Sequence, residues 1–166
     1  KAPRERTLEH PRQIAAGLAD DCACDYCRQN VHNYRESLHG PVLRHLLDLG
    51  VPVDAAYGGD GYFGIAPSST ALHVAAWKGF PRTVRLLIER DAAVDRRDGE
   101  GRTPLSLAVK ATVDSYWTER RTPESVAALL GAGASLAGTP YPSGYAEVDE
   151  LLRDAAEAAA VIDVEM

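Results

Sequence analysis

The sequence predicts an all-α solenoid of stacked helix–turn–helix units, on three observations. Thr70-Ala71-Leu72 is answered further along by Thr103-Pro104-Leu105, and a fixed period of that size marks stacked repeats. Within one period the apolar residues fall at helical spacing in two short runs, around Leu72 to Ala76 and from Val84 to Ile88, with Gly79 between them. Neither run can bury its apolar face alone, so stability has to come from neighbouring units laid against one another.

Residues 1–21 are rich in Arg and Glu around a mild apolar run, Ile14 to Leu18, and read as a poorly ordered N-terminal extension. The start at Lys1, without Met or an apolar leader, reads as a chain trimmed from a longer one and not as a secreted precursor. Asp20 and Asp21 offer cap oxygens to a helix starting near Cys22. Along it Cys24, Cys27, Val31, Tyr34 and Leu38 form a one-sided stripe that Gly40-Pro41 breaks. Val42 to Gly50 then reads as a second helix, so residues 22–54 make a divergent first unit. The interval from Leu46 to Leu87 is longer than that from Thr70 to Thr103, and the excess falls in residues 55–69. This Gly- and aromatic-rich stretch, with Tyr57, Tyr62 and Phe63, predicts a finger lengthened by about one β-hairpin. Gly58 to Gly61 can supply the positive φ values its turn needs.

In the unit over 70–97, Thr70 is placed to cap the first helix and Gly79 to close it in the left-handed conformation. Val84, Leu87 and Ile88 point inward, with Arg82, Arg85 and Glu89 left to solvent. In the unit over 98–137, Pro104 suits a first helical turn. The interval from Leu87-Ile88 to Leu129-Leu130 again exceeds the period. The added residues continue a helical stripe, Leu105, Ala108, Val109, Thr112, Val113, Tyr116 and Trp117, so one continuous helix is expected over 104–119. Its distal Tyr–Trp pair is too apolar to leave uncovered. Thr122-Pro123-Glu124 restarts the next helix. Residues 138–166 read as half a unit and an acidic tail: a single helix with Val148, Leu151, Leu152, Ala155 and Ile162 inside and acids outside, suited to cap a stack.

These residues resemble an ankyrin repeat, whose pattern reads G-x-T-P-L-H-x-A-A-x-x-G, then V-x-x-L-L, then G-A-x-V-N. Thr70, Leu72, His73, Ala75, Ala76, Gly79, Val84, Leu87, Ile88 and Val94 keep it, and the resemblance extends over roughly 40–154. It implies an α-solenoid of ankyrin repeats joined by β-turn or hairpin fingers, with Asp91 standing where the pattern has glycine. It implies a structural role for His73, bonded to the backbone of its own turn, since no nucleophile stands beside it. It further implies a non-catalytic module that binds a partner protein on the concave surface of finger tips and first helices. The lining positions fall on Ala66, Pro67, Ser69, Trp77, Lys78, Arg90, Gly99, Glu100, Arg102, Lys110 and Ala111. Tyr62, Phe63, Tyr116 and Trp117 join them as candidate contacts. Trp77 has two readings, an interface anchor or a ring packed under the Tyr57–Phe63 finger.

The net charge of −6 is concentrated at one end: residues 138–166 hold seven acids and one base, and the remainder is neutral. No basic face exists to neutralise phosphates, which argues against nucleic acid. No apolar run approaches the length of a membrane span. Three cysteines between Cys22 and Cys27 do not make a disulfide framework and suit a reducing, cytoplasmic setting. Fifteen Arg against three Lys points to a GC-rich, bacterial coding sequence. Cys22, Cys24 and Cys27 are the one group with metal-ligand character, and carry the alternative of a metal- or redox-responsive regulator. A second ligand pair is missing and zinc wants four, so the expectation is no metal, no cofactor and no enzyme, in a monomer or weak homodimer.

Overall fold

The computed structural model describes residues 40–114 and 122–164, with side chains as far as Val161. Its ordered elements are all helical. We label as α1 the helix over 40–48, followed by α2 (Ala71–Lys78), α3 (Pro81–Glu89), α4 (Pro104–Asp114), α5 (Glu124–Gly131) and α6 (Ala146–Val164). A 3-10 turn lies at Gly61–Phe63. α2 pairs with α3 and α4 with α5, while α2 stacks on α4 and α3 on α5. The result is two helical layers, one of first helices and one of second helices. α6 packs on α5, and residues 132–145 between them contain no helix.

The chain stops its helices by local rules. Gly79 takes φ 67° after α2, and the Phe80 amide donates to Ala75 O at 3.0 Å, closing the helix in the left-handed manner. Each second helix ends alike. Gly50, Asp91 and Gly133 adopt φ 89°, 61° and 82°. The following amide then reaches back to the last turn of its helix: Val51 to Leu46 O at 3.1 Å, and Ala92 to Leu87 O and Ala134 to Leu129 O at 3.0 Å. Asp91 therefore does sit in the conformation that glycine serves best. Pro81 and Pro104 open their helices in the first turn, where a missing N–H leaves nothing unsatisfied.

The core runs through both layers. Leu72, Leu87, Leu105, Leu129, Val84, Val109, Val126 and Val148 are all completely buried. Ala75 and Ala76 are buried where α4 approaches α2, a closeness that larger side chains would prevent. On α3 the buried arc is wider than expected: Thr83 and Leu86 join Val84 and Leu87, and Ile88 is only half-buried. A second helix touches its own first helix on one side and neighbouring second helices on others, which a single stripe does not anticipate. On α6, Val148 and Leu152 are buried and Leu151 and Ala155 half-buried, while residues 156–161 are all exposed. The expected inner position of Ile162 lies outside the described side chains. α4 has eleven residues against eight in α2. The expectation of helix beyond Asp114, with Tyr116 and Trp117, falls outside the described residues, as do residues 1–39 with Cys22, Cys24 and Cys27.

Candidate functional site

The long finger is a small, tightly bonded hairpin. The Tyr57 amide donates to Ser69 O at 2.8 Å, and the Ser68 amide returns to Tyr57 O at the same distance. Further out, Asp60 N–H donates to Ile65 O at 2.7 Å and Ile65 N–H to Asp60 O at 2.9 Å. Both are isolated antiparallel bridges; among the described residues no extended strand forms. At the tip, Asp60 Oδ1 accepts the Tyr62 amide at 3.0 Å and so caps the 3-10 turn. Gly59 is required here: its φ is 94°, and a Cβ would stand 2.7 Å from Pro67 N. The next finger lies against this one, with the Gly99 amide donating to Pro67 O at 2.6 Å.

The hairpin is tied down near its tip. Trp77 Nε1–H donates to Phe63 O at 2.9 Å, and its ring lies against Gly64. Arg102 Nη2 donates to Gly64 O at 3.4 Å. Arg102 is itself held by Asp98, whose Oδ2 accepts from Nε at 2.8 Å, and by Glu100 at 3.1 Å from Nη1. Asp98 Oδ1 also accepts the amides of Glu100 and Arg102, both at 2.9 Å. Burial pushes the Asp98 carboxyl upward, but these amides and the guanidinium outweigh it and hold it below the usual carboxylate range.

His73 joins one unit to the next. Nδ1 accepts the Thr70 amide at 3.1 Å, so by this hydrogen-bond network the proton is on Nε2, which faces Arg102 O at 3.3 Å. Both ring nitrogens are thus occupied by structure. Burial lowers its pKa, against the opposing pull of the Arg102 carbonyl and the Asp98 charge. A neutral, buried, doubly bonded imidazole is built to hold a turn, not to shuttle protons.

What these ties present to solvent is a pair of aromatic rings. Tyr62 is 91% exposed and Phe63 52%, their rings meeting edge to face at 5.0 Å. Lys78 Nζ stands 4.8 Å from the Phe63 ring centroid, within cation–π range. Trp77 is half-buried beneath the finger, with its N–H committed to Phe63 O. Lys110 pairs with Asp114 at 2.7 Å, one helix further along. With Arg102, Ser106, Val113, Pro140 and Ser143 these two line an open groove of about 290 Å³. Arg90 is elsewhere, at the end of α3, where it pairs with Asp48 of α1 at 2.9 Å. Three of the expected lining positions need correction: Ala66, Ser69 and Ala111 are buried at 3%, 1% and 8% exposure. Ala66 and Ser69 are turned inward at the base of the hairpin, and Ala111 faces the core side of α4.

Two carboxylates that the pattern reading passed over hold successive loops together. Asp54 accepts the Ala93 amide at 3.1 Å and 3.2 Å through its two oxygens, and Asp95 accepts the Ser135 amide at 2.7 Å. The signal was present: Val53-Asp54 and Val94-Asp95 repeat at the same interval as Leu46 and Leu87.

Paired helices stacked layer on layer, fingers bonded finger to finger, and a histidine linking its turn to the next unit make a repeat fold. A family model for ankyrin repeats in three copies matches residues 37–136. The chain belongs to the ankyrin-repeat family. Rabankyrin-5 of Homo sapiens is 34% identical over 70 residues, covering 42% of this chain and 6% of that protein. Rabankyrin-5 of Mus musculus is 32% identical over 88 residues, covering 53% of this chain and 8% of the relative. This chain therefore spans less than a tenth of either relative. Ankyrin repeats generally serve as protein–protein interaction modules and are typically not enzymes. Among the described residues, no group of three His, Cys, Asp or Glu side chains could hold a metal, and no helix is long and apolar enough to cross a membrane.

Proposed function

We propose that this ankyrin-repeat protein binds a partner protein through the surface formed by its long finger and first helices, with Tyr62 and Phe63 as the anchoring side chains. The observation that supports this is the combination of exposure and fixation at the finger tip. A tyrosine 91% exposed is ordinary on a loose loop. Here it stands on a hairpin held by Trp77, Arg102 and the Asp60 cap. A side chain already fixed in place loses less entropy on binding, and aromatic residues dominate interface energetics. Lys78, Glu100, Arg102 and Lys110 make the polar rim on this reading, and Trp77 contributes by carrying the finger.

The test begins with partner capture by affinity purification and mass spectrometry, followed by titration of the purified pair. Tyr62→Ala or Phe63→Ala is expected to weaken the dissociation constant by roughly 30-fold, the equivalent of a hot spot of about 2 kcal/mol. The melting temperature should not move, because neither ring is part of the core. Unchanged affinity in both variants would remove the finger from the interface.

A further inference from the structure

The stretch leading into α6 is built differently from those leading into α3 and α5, and the difference opens a groove. α3 and α5 each follow a first helix, whereas residues 132–145 contain no helix. α4 therefore meets α2 on one side, and on the other borders Gly138, Pro140 and Ser143 across the open groove of about 290 Å³. Leu107 and Val109, both buried, lie beneath it, and Val113 and the Lys110 stem form one wall. The other wall is fixed before anything binds. The Ser143 amide donates to Asp149 Oδ1 at 2.6 Å and the Thr139 amide to Leu136 O at 3.0 Å, with Pro140 and Pro142 stiffening the stretch between. The polar groups of both walls are already paired. Ser106 Oγ donates to Thr103 O at 2.9 Å, Ser143 Oγ to Tyr145 O at 3.3 Å, and Lys110 to Asp114 at 2.7 Å. An apolar side chain entering here strands none of them. One end differs. Arg97 Nη1 would stand 3.7 Å from a Cβ at Gly138. It donates to a carbonyl, Gly101 O at 2.8 Å, and among the described residues no carboxylate pairs with it.

We propose, resting on the partner surface assigned above, that this groove takes an extended segment of the partner protein. A large aliphatic or aromatic side chain of that segment lies over Leu107 and Val109, and a carboxylate beside it meets Arg97. Size selects an extended segment over a helix. Eight residues of helix, the length of α2, fill a cylinder of roughly 900 Å³, about three times the groove. A single large side chain fits, in a space at the small end of ligand pockets. Charge selects the carboxylate, because a guanidinium that faces only a carbonyl gains a stronger, charge-assisted acceptor. The fixed walls add to affinity, since little has to be ordered on binding. A second copy of this chain is the poorer occupant. Among the described residues it carries its exposed aromatic pair, Tyr62 and Phe63, on a hairpin and the exposed acids Glu147, Glu150 and Asp154 on a helix. Both are broader than one extended strand.

A phage-displayed library of random linear peptides, panned on the whole chain, supplies the probe. Enriched peptides are expected to share a large apolar residue with Asp or Glu beside it. A synthetic copy of one should shift the amide resonances of Lys110, Val113 and Ser143. Arg97→Glu and Val113→Asp should each weaken its binding by about tenfold or more. Replacing the acid of the peptide by its amide should remove most of the Arg97→Glu effect, which a general loss of fold would not do. Arg97 is exposed, so its variant keeps the test valid even where Val113→Asp lowers the melting temperature. No enrichment, peptides without the apolar–acid pair, or binding that both variants leave unchanged would overturn the proposal. Binding lost in Tyr62→Ala but kept in both groove variants would also overturn it, while leaving the fingertip reading in place. Self-association abolished by Arg97→Glu, without peptide binding, would overturn it in favour of a second copy.

Discussion

At the scale of single residues, the two buried titratable groups at the junction of the fingers respond to pH in separate windows. The buried imidazole of His73 has its pKa lowered by desolvation, whereas the unfolded chain takes up a proton near the ordinary value of about 6.5. Below that value the unfolded state binds more protons than the native state, so the contribution of His73 is complete above it and is lost as pH falls toward the folded pKa. Asp98 is also held low, so its contribution is present above the ordinary carboxylate pKa and is lost in more acidic solution. Urea midpoints measured from pH 8 to pH 3 should show a decline beginning near pH 6.5, distinct from one beginning near pH 4. His73→Gln should abolish the first decline and keep the second. An unaltered profile in that variant would mean the imidazole is not the titrating group. The role of His73 was legible from its motif. The carboxylate of Asp98 was not, because an aspartate in a turn looks the same whether it faces water or collects two amides and a guanidinium. Asp91 was legible: its place in the pattern belongs to glycine, and its φ of 61° confirms the substitution in the backbone. Asp91→Gly is expected to stabilise the protein by about 0.5 kcal/mol, the relief of left-handed strain being offset in part by a more flexible unfolded chain.

At the scale of elements, the helices were easier to read than the finger. Apolar spacing fixes which side of a helix is buried, so Leu72, Val84 and Leu87 could be placed from sequence and are completely buried. Leu87→Ala should cost about 2–5 kcal/mol, as a large-to-small change where surrounding helices cannot collapse. An unshifted denaturation midpoint would contradict its place in the core. The finger has no such period. Its length and glycines announced a turn, but what holds it is a set of contacts between residues distant in sequence: Gly59 against Pro67, Trp77 on Phe63 O, Arg102 on Gly64 O. Those contacts also explain why Ala66 and Ser69 turned out buried when a finger would ordinarily present them. Gly59→Ala puts a methyl group against the Pro67 backbone at positive φ, and should destabilise the hairpin by at least about 1 kcal/mol. Trp77 fluorescence, in a Trp117→Phe background, reports on it directly, since the indole lies under the loop that would move. Emission and urea midpoint both unchanged would show that the finger tolerates the side chain.

At the scale of the whole molecule, a stack in which each unit touches only its neighbours must end its own exposed faces, and α6 does this for one end. Val148 and Leu152 bury against the stack, and Glu147 and Asp149 favour the helix start through the macrodipole. Asp149 additionally accepts the Ser143 amide at 2.6 Å, fixing the loop that leads in. This half of the helix is where the capping energy resides. From Ala156 onward the described side chains are exposed, so the helix has left the surface it caps. Sequence alone carried the inner face of this helix past Ala155 to Ile162. Nothing in a spacing tells where the neighbouring helix stops. α5 has only eight residues against nineteen in α6, and with a constant rise per residue it is less than half as long. A chain ending at Ala155 should therefore keep its urea midpoint, with a stability change within about 0.5 kcal/mol. Val148→Asp in the full-length chain should instead open the end of the stack. It buries a charge without a partner, at a cost of several kcal/mol, and exposes Val126 and Leu129 to other molecules. The two variants read opposite halves of one helix. If truncation proved as damaging as Val148→Asp, the distal half would have to be packed against something, and the cap would extend beyond α5.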